Sequence, residues 1–196
     1  MQEVEIHRWA TWLVIGLAPV TCLLLTRVTA PYGRHFRPGW GPTLTDRLGW
    51  ILMELPTVAV FVPVFFAGDH CYEWVPLIFL GFWLSHYLYR TFIFPFRIRS
   101  SGKQMAVVIV VLGATFNTLN AYINSRQLSQ FGNYDLSWLV DPRFALGAVA
   151  FIAGTVINRR ADRTLLQLRD SAAAPGDYEI PYGGLYRYIS CPNYLG

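Results

Sequence analysis

Residues 48–67 read Leu-Gly-Trp-Ile-Leu-Met-Glu-Leu-Pro-Thr-Val-Ala-Val-Phe-Val-Pro-Val-Phe-Phe-Ala, an apolar run with a single ionisable side chain, Glu54. Crossing the hydrocarbon of a bilayer takes about 20 predominantly apolar residues in a helix, so this stretch has the length and composition of a transmembrane span. Working outward, four comparable runs lie at 9–28, 72–96, 105–123 and 144–157. The last is short for a span, and its pattern continues as helix through the polar residues 158–169, beyond the membrane. The fold expected is all-α: a polytopic transmembrane bundle with five spans, at 9–28, 48–67, 72–96, 105–123 and 144–169, forming one domain over 1–196. The segment 178–196, with Pro181, Gly183 and Gly184, has turn chemistry and is expected not to span.

Composition agrees. Only 14% of the residues are charged, where soluble domains average about 25%, so the chain lacks the polar surface to stay in water. Of the 16 basic residues only Lys103 is not arginine. They concentrate in loop one (Arg27, Arg34, Arg37, Arg47), loop three (Arg97, Arg99, Lys103) and the tail (Arg159, Arg160, Arg163, Arg169). Loop two, around Asp69, His70 and Glu73, has none. The positive-inside rule therefore puts loops one and three and the tail in the cytoplasm and the N-terminus outside. The arginine-rich composition and short loops favour a bacterial inner membrane over endoplasmic reticulum. A nucleic-acid partner would need a basic face on a soluble module, which is absent. The run after Trp9 is read as a first span and not a cleaved signal.

Several chemistries are excluded. No pair among Cys22, Cys71 and Cys191 has ligand or disulfide-framework spacing, and no His/Cys/Asp set has metal spacing. No Gly-x-Gly-x-x-Gly follows a strand and no Walker sequence occurs, so neither a Rossmann nor a P-loop nucleotide site is expected. No Gly-x-Ser-x-Gly suggests a serine nucleophile.

Ionisable side chains within spans are costly and mark function. Glu54 lies seven residues after Arg47, about 10 Å below the cytoplasmic edge at 1.5 Å per residue. Pro56 removes a helix hydrogen bond beside it and permits a kink. Water is scarce at that depth, so a protonated Glu54 serving as a hydrogen-bond donor is expected. In the third span Arg90 and Tyr87 fall at depths of about 10 and 15 Å, so acid, phenol and guanidinium can meet in one buried cluster. Arg90 can equally be an ion-pair partner that neutralises Glu54. Asn158, Asp162 and Arg169 share a stripe at the cytoplasmic end of the fifth helix, which can hold a polar ligand such as a nucleotide or be a solvated face. Asn117, Asn120 and Asn124 form a second stripe, in the fourth span, for which helix–helix hydrogen bonding is expected.

At these same positions the sequence resembles the steroid 5α-reductase family. The resembling pieces are Ala30-Pro31-Tyr32-Gly33-Arg34-His35, Glu54-Leu55-Pro56, His86-Tyr87-Leu88-Tyr89-Arg90-Thr91 and Asp141-Pro142-Arg143-Phe144. They continue with Ile157-Asn158-Arg159-Arg160-Ala161-Asp162, Leu168-Arg169, and 180–186 through Asn193-Tyr194-Leu195-Gly196. Seven pieces in family order are far more specific than any one. The resemblance implies a seven-helix membrane bundle with a cytoplasmic NADPH site, and a family pattern that continues past Gly196, so a C-terminally truncated chain is expected. It implies NADPH-dependent reduction of the Δ4 double bond of a 3-oxo-Δ4 steroid or similar apolar enone. Glu54 and Tyr87 would polarise the substrate carbonyl. Asn158, Asp162, Arg169, Tyr178 and Asn193 would hold NADPH, with Tyr32, Arg90 and Arg99 as further cofactor matches. Two departures bear on the substrate and the phosphate contact. Met53 precedes the Glu-Leu-Pro where relatives often carry a polar residue, and Glu179 stands where a basic one is common. The alternatives are a polyprenol or enoyl-thioester reductase and, from other classes, a small transporter or an S-adenosylmethionine-dependent methyltransferase. No internal repeat of the transporter kind is present, and no obligate protein partner is evident.

Overall fold

The computed structural model describes residues 2–97, 103–171 and 180–195. Among them five helical segments are long and apolar enough to cross a membrane: Glu3–Arg27, Asp46–Phe66, Trp74–Arg97, Val107–Phe131 and Pro142–Leu168. The chain is an integral membrane protein, and each span overlaps the run expected for it. The first helix, α1 (Glu3–Arg27), starts well before the apolar run at Trp9. Glu3 and Glu5 in its first turn suit the positive end of the helix dipole. Glu3 is also anchored, since Nη2 of Arg126 donates to its carboxylate at 2.6 Å.

The chain divides into two compact units, one of Met1–Phe96 with Gly102–Asp135 and the other of Arg97–Ser101 with Leu136–Gly196. In the first unit the second span is not one helix. It runs as α2 (Asp46–Glu54), α3 (Pro56–Ala59) and α4 (Phe61–Phe66). Thr45 caps α2 by accepting from the Leu48 amide. The break falls at Leu55, because Pro56 has no N–H to continue the ladder. The third span is α5 (Trp74–Leu88), a π-helical turn at Tyr89–Ile93, and α6 (Phe94–Arg97). The fourth is α7 (Val107–Arg126), closed by a second π-helical turn at Gln127–Phe131.

A two-stranded antiparallel ribbon, β1 (Thr43–Thr45) with β2 (Gln104–Ala106), pairs Leu44 with Met105 and ties the entrance of α2 to that of α7. Sequence reading had no sign of it, since three residues are too few to show an alternating pattern. The core of this unit is Phe61, Phe65, Cys71, Leu80 and Ala121, with Trp83 stacked on Phe61 at 4.2 Å between ring centres. α2 and α7 approach closely where Gly113 has no side chain and the Met53 side chain fills the notch. Cys22, Cys71 and Cys191 are all free thiols.

In the second unit α8 (Pro142–Ser171) is a continuous helix of 30 residues. Its start is written locally: Pro142 suits the first helical position, and Oδ1 of Asp141 accepts from the Arg143 amide at 2.8 Å. Arg143 also closes a two-pronged ion pair on the same carboxylate, through Nε at 2.9 Å and Nη2 at 2.8 Å. These donors pull the Asp141 carboxyl down to about 2. Gly183 and Gly184 take positive φ, 99° and 54°, and start a short 3₁₀ turn at Gly184–Arg187. A second 3₁₀ turn, Pro192–Tyr194, packs on α8.

Candidate active site

The break in the second span decides the geometry. Glu54 is the last residue of α2 and is 5% exposed, deep among side chains of α5 and α7. Nε of Arg90, in the π-helical turn, donates to Glu54 Oε1 at 3.1 Å. Nδ2 of Asn117, on α7, lies 3.5 Å from the other carboxylate oxygen. Both oxygens of Glu54 thus accept from protein donors. Arg90 is itself held between aromatic faces, 4.8 Å from the Trp50 ring centre and 5.8 Å from that of Phe94.

Tyr87 lies one turn before Arg90 and within electrostatic range of both Glu54 and Arg90. Its ring packs on Trp83 at 4.5 Å and on His86 at 4.9 Å between centres. Its hydroxyl oxygen accepts from Nδ2 of Asn120 at 3.5 Å, which leaves the O–H to donate elsewhere. The acid, phenol and guanidinium expected to cluster do so. The ion pair between Arg90 and Glu54 forms as one of the two readings required.

The cofactor candidates divide. In the second unit Asn158 and Asn193 come together, Nδ2 of Asn158 donating to the Asn193 carbonyl at 2.7 Å. Asp162, one turn further along α8, is 5% exposed, so this part of the stripe is not a solvated face. The Tyr186 hydroxyl donates to the Ala161 carbonyl at 3.1 Å. Burial, with the nearby charge of Asp162, pushes the Tyr186 phenol above its usual range. Tyr32, in the first unit, is exposed on the loop after α1. Tyr178, Glu179, Arg99 and the side chain of Arg169 lie outside the described residues.

Sequence reasoning missed several members. Asn117 and Asn120 were visible as a stripe and do bond across helices, but their partners are Met53, Glu54 and Tyr87, so they belong to the site. Asn124 instead bonds back to Asn120 on its own helix. Trp50 lies one turn before Glu54, and its indole N–H is buried with no hydrogen bond among the described residues. Thr57, Trp83 and Thr91 gave no signal, because hydroxyls and an indole are ordinary in a span.

A broken transmembrane helix thus presents a buried acid to an arginine and an amide, with a phenol and a second amide beside them. The family model for 3-oxo-5-alpha-steroid 4-dehydrogenase matches residues 103–196. The steroid 5-alpha-reductase DET2 of Arabidopsis thaliana is 40% identical over 196 residues, covering 96% of this chain and 74% of that protein. The 3-oxo-5-alpha-steroid 4-dehydrogenase 1 of Bos taurus is 39% identical over 191 residues, covering 94% and 72%. The human protein of the same name is 34% identical over 190 residues, covering 90% and 69%. The chain belongs to the steroid 5α-reductase family, and is an oxidoreductase of the class acting on CH–CH bonds. The resemblance read from the motifs is borne out. These relatives are eukaryotic and lend no support to a bacterial membrane.

Proposed function

We propose that this chain reduces the Δ4 double bond of a 3-oxo-Δ4 steroid with NADPH as hydride source, with Glu54 and Tyr87 polarising the substrate carbonyl. The names of the relatives supply the steroid and the bond. The observation that carries the residue roles is the buried Glu54–Arg90 pair beside a phenol whose proton is left to donate.

On substrate binding Glu54 takes up a proton from solvent and, while still accepting from Arg90, donates with the Tyr87 O–H to the carbonyl oxygen. Electron density drawn onto that oxygen leaves the β-carbon electron-poor, and reduction there produces an enolate whose negative charge the same two donors stabilise. A proton taken from solvent and added at the α-carbon completes the saturated ketone. Arg90 and Asn117 keep the Glu54 carboxyl from turning away. The enone needs two electrons as a hydride, which the family resemblance assigns to NADPH.

The donor set in the second unit suits a nucleotide: a buried acid, two converging asparagines and, by resemblance, Arg169 and Tyr178. Asn158, Asp162 and Asn193 would hold the ribose and amide groups, while an arginine would pair with the 2′-phosphate that distinguishes NADPH from NADH. The basic loops put this side in the cytoplasm, where the cofactor is available.

The test is NADPH consumption by the protein in detergent with progesterone, beside Glu54→Gln. Formation of the 5α-dihydro product, reduced about 10²–10³-fold in the variant, supports the reaction and the role. Binding of NADPH with no turnover of any 3-oxo-Δ4 steroid would remove the substrate assignment. Native turnover in Glu54→Gln would remove the role of Glu54.

A further inference from the structure

We propose that Asn117 and Thr91 are positioning residues for this reaction. They clamp the main chain at the break in the second span and thereby aim the Glu54 carboxyl. The inference rests on the reading of Glu54 as a carbonyl-polarising group and adds the device that holds it.

The need for a clamp follows from Pro56. Past the break, the amides of Val58 and Ala59 both turn to the Leu55 carbonyl, at 3.1 and 2.9 Å. The carbonyls of Met53 and Glu54 accept from side chains instead. A main-chain carbonyl left bare in a membrane interior is costly, so the break can persist only where such donors are supplied. Nδ2 of Asn117 donates to the Met53 carbonyl at 2.7 Å. Oγ1 of Thr57 donates to the Glu54 carbonyl at 2.6 Å, and Oγ1 of Thr91 reaches the same oxygen at 3.5 Å. Nε1 of Trp83 closes the series on the Thr57 carbonyl at 2.7 Å.

One of these donors, Asn117, also faces the carboxyl, and another, Thr91, adjoins the arginine that holds it. Asn117 holds the Met53 carbonyl and faces Glu54 Oε2. In the π-helical turn, Arg90 takes the Glu54 side chain while its neighbour Thr91, fully buried, takes the Glu54 main chain. The third span therefore grips Glu54 at its carbonyl and its carboxyl, and α7 grips the Met53 carbonyl and the Glu54 carboxyl. The wide turn at Tyr89–Ile93 lets two consecutive residues serve one partner, a use in keeping with π-turns at functional sites. Thr57 bonds within its own span and Trp83 holds the Thr57 carbonyl, so neither ties the Glu54 main chain to the turn that carries Arg90.

The experiment uses the full chain in detergent, with NADPH and a 3-oxo-Δ4 steroid, and compares Asn117→Leu, Thr91→Val and Thr91→Ser with the native protein. Rates are taken per mole of protein eluting as a monodisperse peak. Asn117→Leu is expected to lower kcat about 10-fold with KM for the steroid within about 3-fold, as a misplaced catalytic group does. Combined with Glu54→Gln, the same change is expected to cost less than about 2-fold, because the group it positions is already gone. Thr91→Val should lower kcat about 3-fold and Thr91→Ser should restore it, since Thr57 shares the Glu54 carbonyl. A native kcat in Asn117→Leu, or an equal loss with and without Glu54→Gln, overturns the inference while leaving the role of Glu54 standing. If Asn117→Leu does not fold, the Thr91 pair decides: native kcat in Thr91→Val, or no rescue by Thr91→Ser, overturns it. Native kcat in Glu54→Gln fails the underlying reading itself.

Discussion

The second span and α8 both bury an acid, and they do it in opposite ways. Glu54 ends a helix that Pro56 interrupts, and its surroundings are donors from two other helices. Asp162 sits within an unbroken helix of 30 residues, one turn after Asn158, so its place follows from helical periodicity alone. A break creates unsatisfied carbonyls that tertiary neighbours must fill, and those neighbours bring polar groups to the acid beside it. A continuous helix satisfies itself and can offer a polar stripe to a ligand without such help. The first arrangement suits chemistry, the second binding.

Kinetics can break that contrast. Glu54→Gln should act on kcat, with the loss of about 10²–10³-fold already described. Asp162→Asn should instead raise KM for NADPH by about 10-fold with kcat changed little, because it removes binding common to ground and transition states. Steady-state rates over a range of steroid and NADPH concentrations separate the two; a kcat-only effect in Asp162→Asn would erase the division of labour. Tyr87→Phe should lower kcat by about 10²-fold, less than Glu54→Gln, because Glu54 remains as a donor. Equal losses in the two single variants and no further loss in the double would show that the pair acts as one unit.

Packing sharpens the comparison at smaller scale. A Cβ on Gly113 would collide with the Met53 side chain, next to Glu54, whereas a Cβ on Gly147 of α8 meets nothing. Gly113→Ala is expected to cost about 1–3 kcal/mol from overpacking, and Gly147→Ala to be neutral or stabilising by up to about 1 kcal/mol. Thermal unfolding in detergent checks both, and equal midpoints would show that α2 and α7 can part at little cost. The smallest effect belongs to the helix start at Asp141. Its carboxyl falls from the ordinary 3.8 to about 2 in the folded chain, so its contribution is present above pH 3.8 and is lost as the pH falls through about 2. The unfolding midpoint of Asp141→Asn should lie slightly below native at pH 6, and the gap should narrow as the pH falls from about 4 and close below about 2. A gap that stays constant with pH would assign it to something other than the charge.

Much of the fold was legible because its causes are local. The spans at 48–67 and 105–123 can be read from apolar length, and Pro56 announces a disturbance beside Glu54. The cap at Asp141-Pro142 is likewise local. The meeting of Glu54, Tyr87 and Arg90 could be anticipated from similar depth, since spans that alternate in direction place residues on one vertical scale. The ribbon of Thr43–Thr45 with Gln104–Ala106 and the π-helical turns could not, because each depends on a partner far away in the chain or on a single displaced hydrogen bond.

The sequence by itself therefore determined that this chain lives in a membrane, which five runs are long and apolar enough to cross it, and which polar residues stand near the depth of the acid. Hydrophobic transfer acts on each segment separately, so composition is enough. Only the tertiary structure decided which groups answer the break at Pro56: Asn117 on Met53, Thr57 and Thr91 on Glu54, Trp83 on Thr57. Those bonds are directional and join residues up to 64 positions apart. Their existence depends on how three helices are rotated against one another, which no single segment encodes.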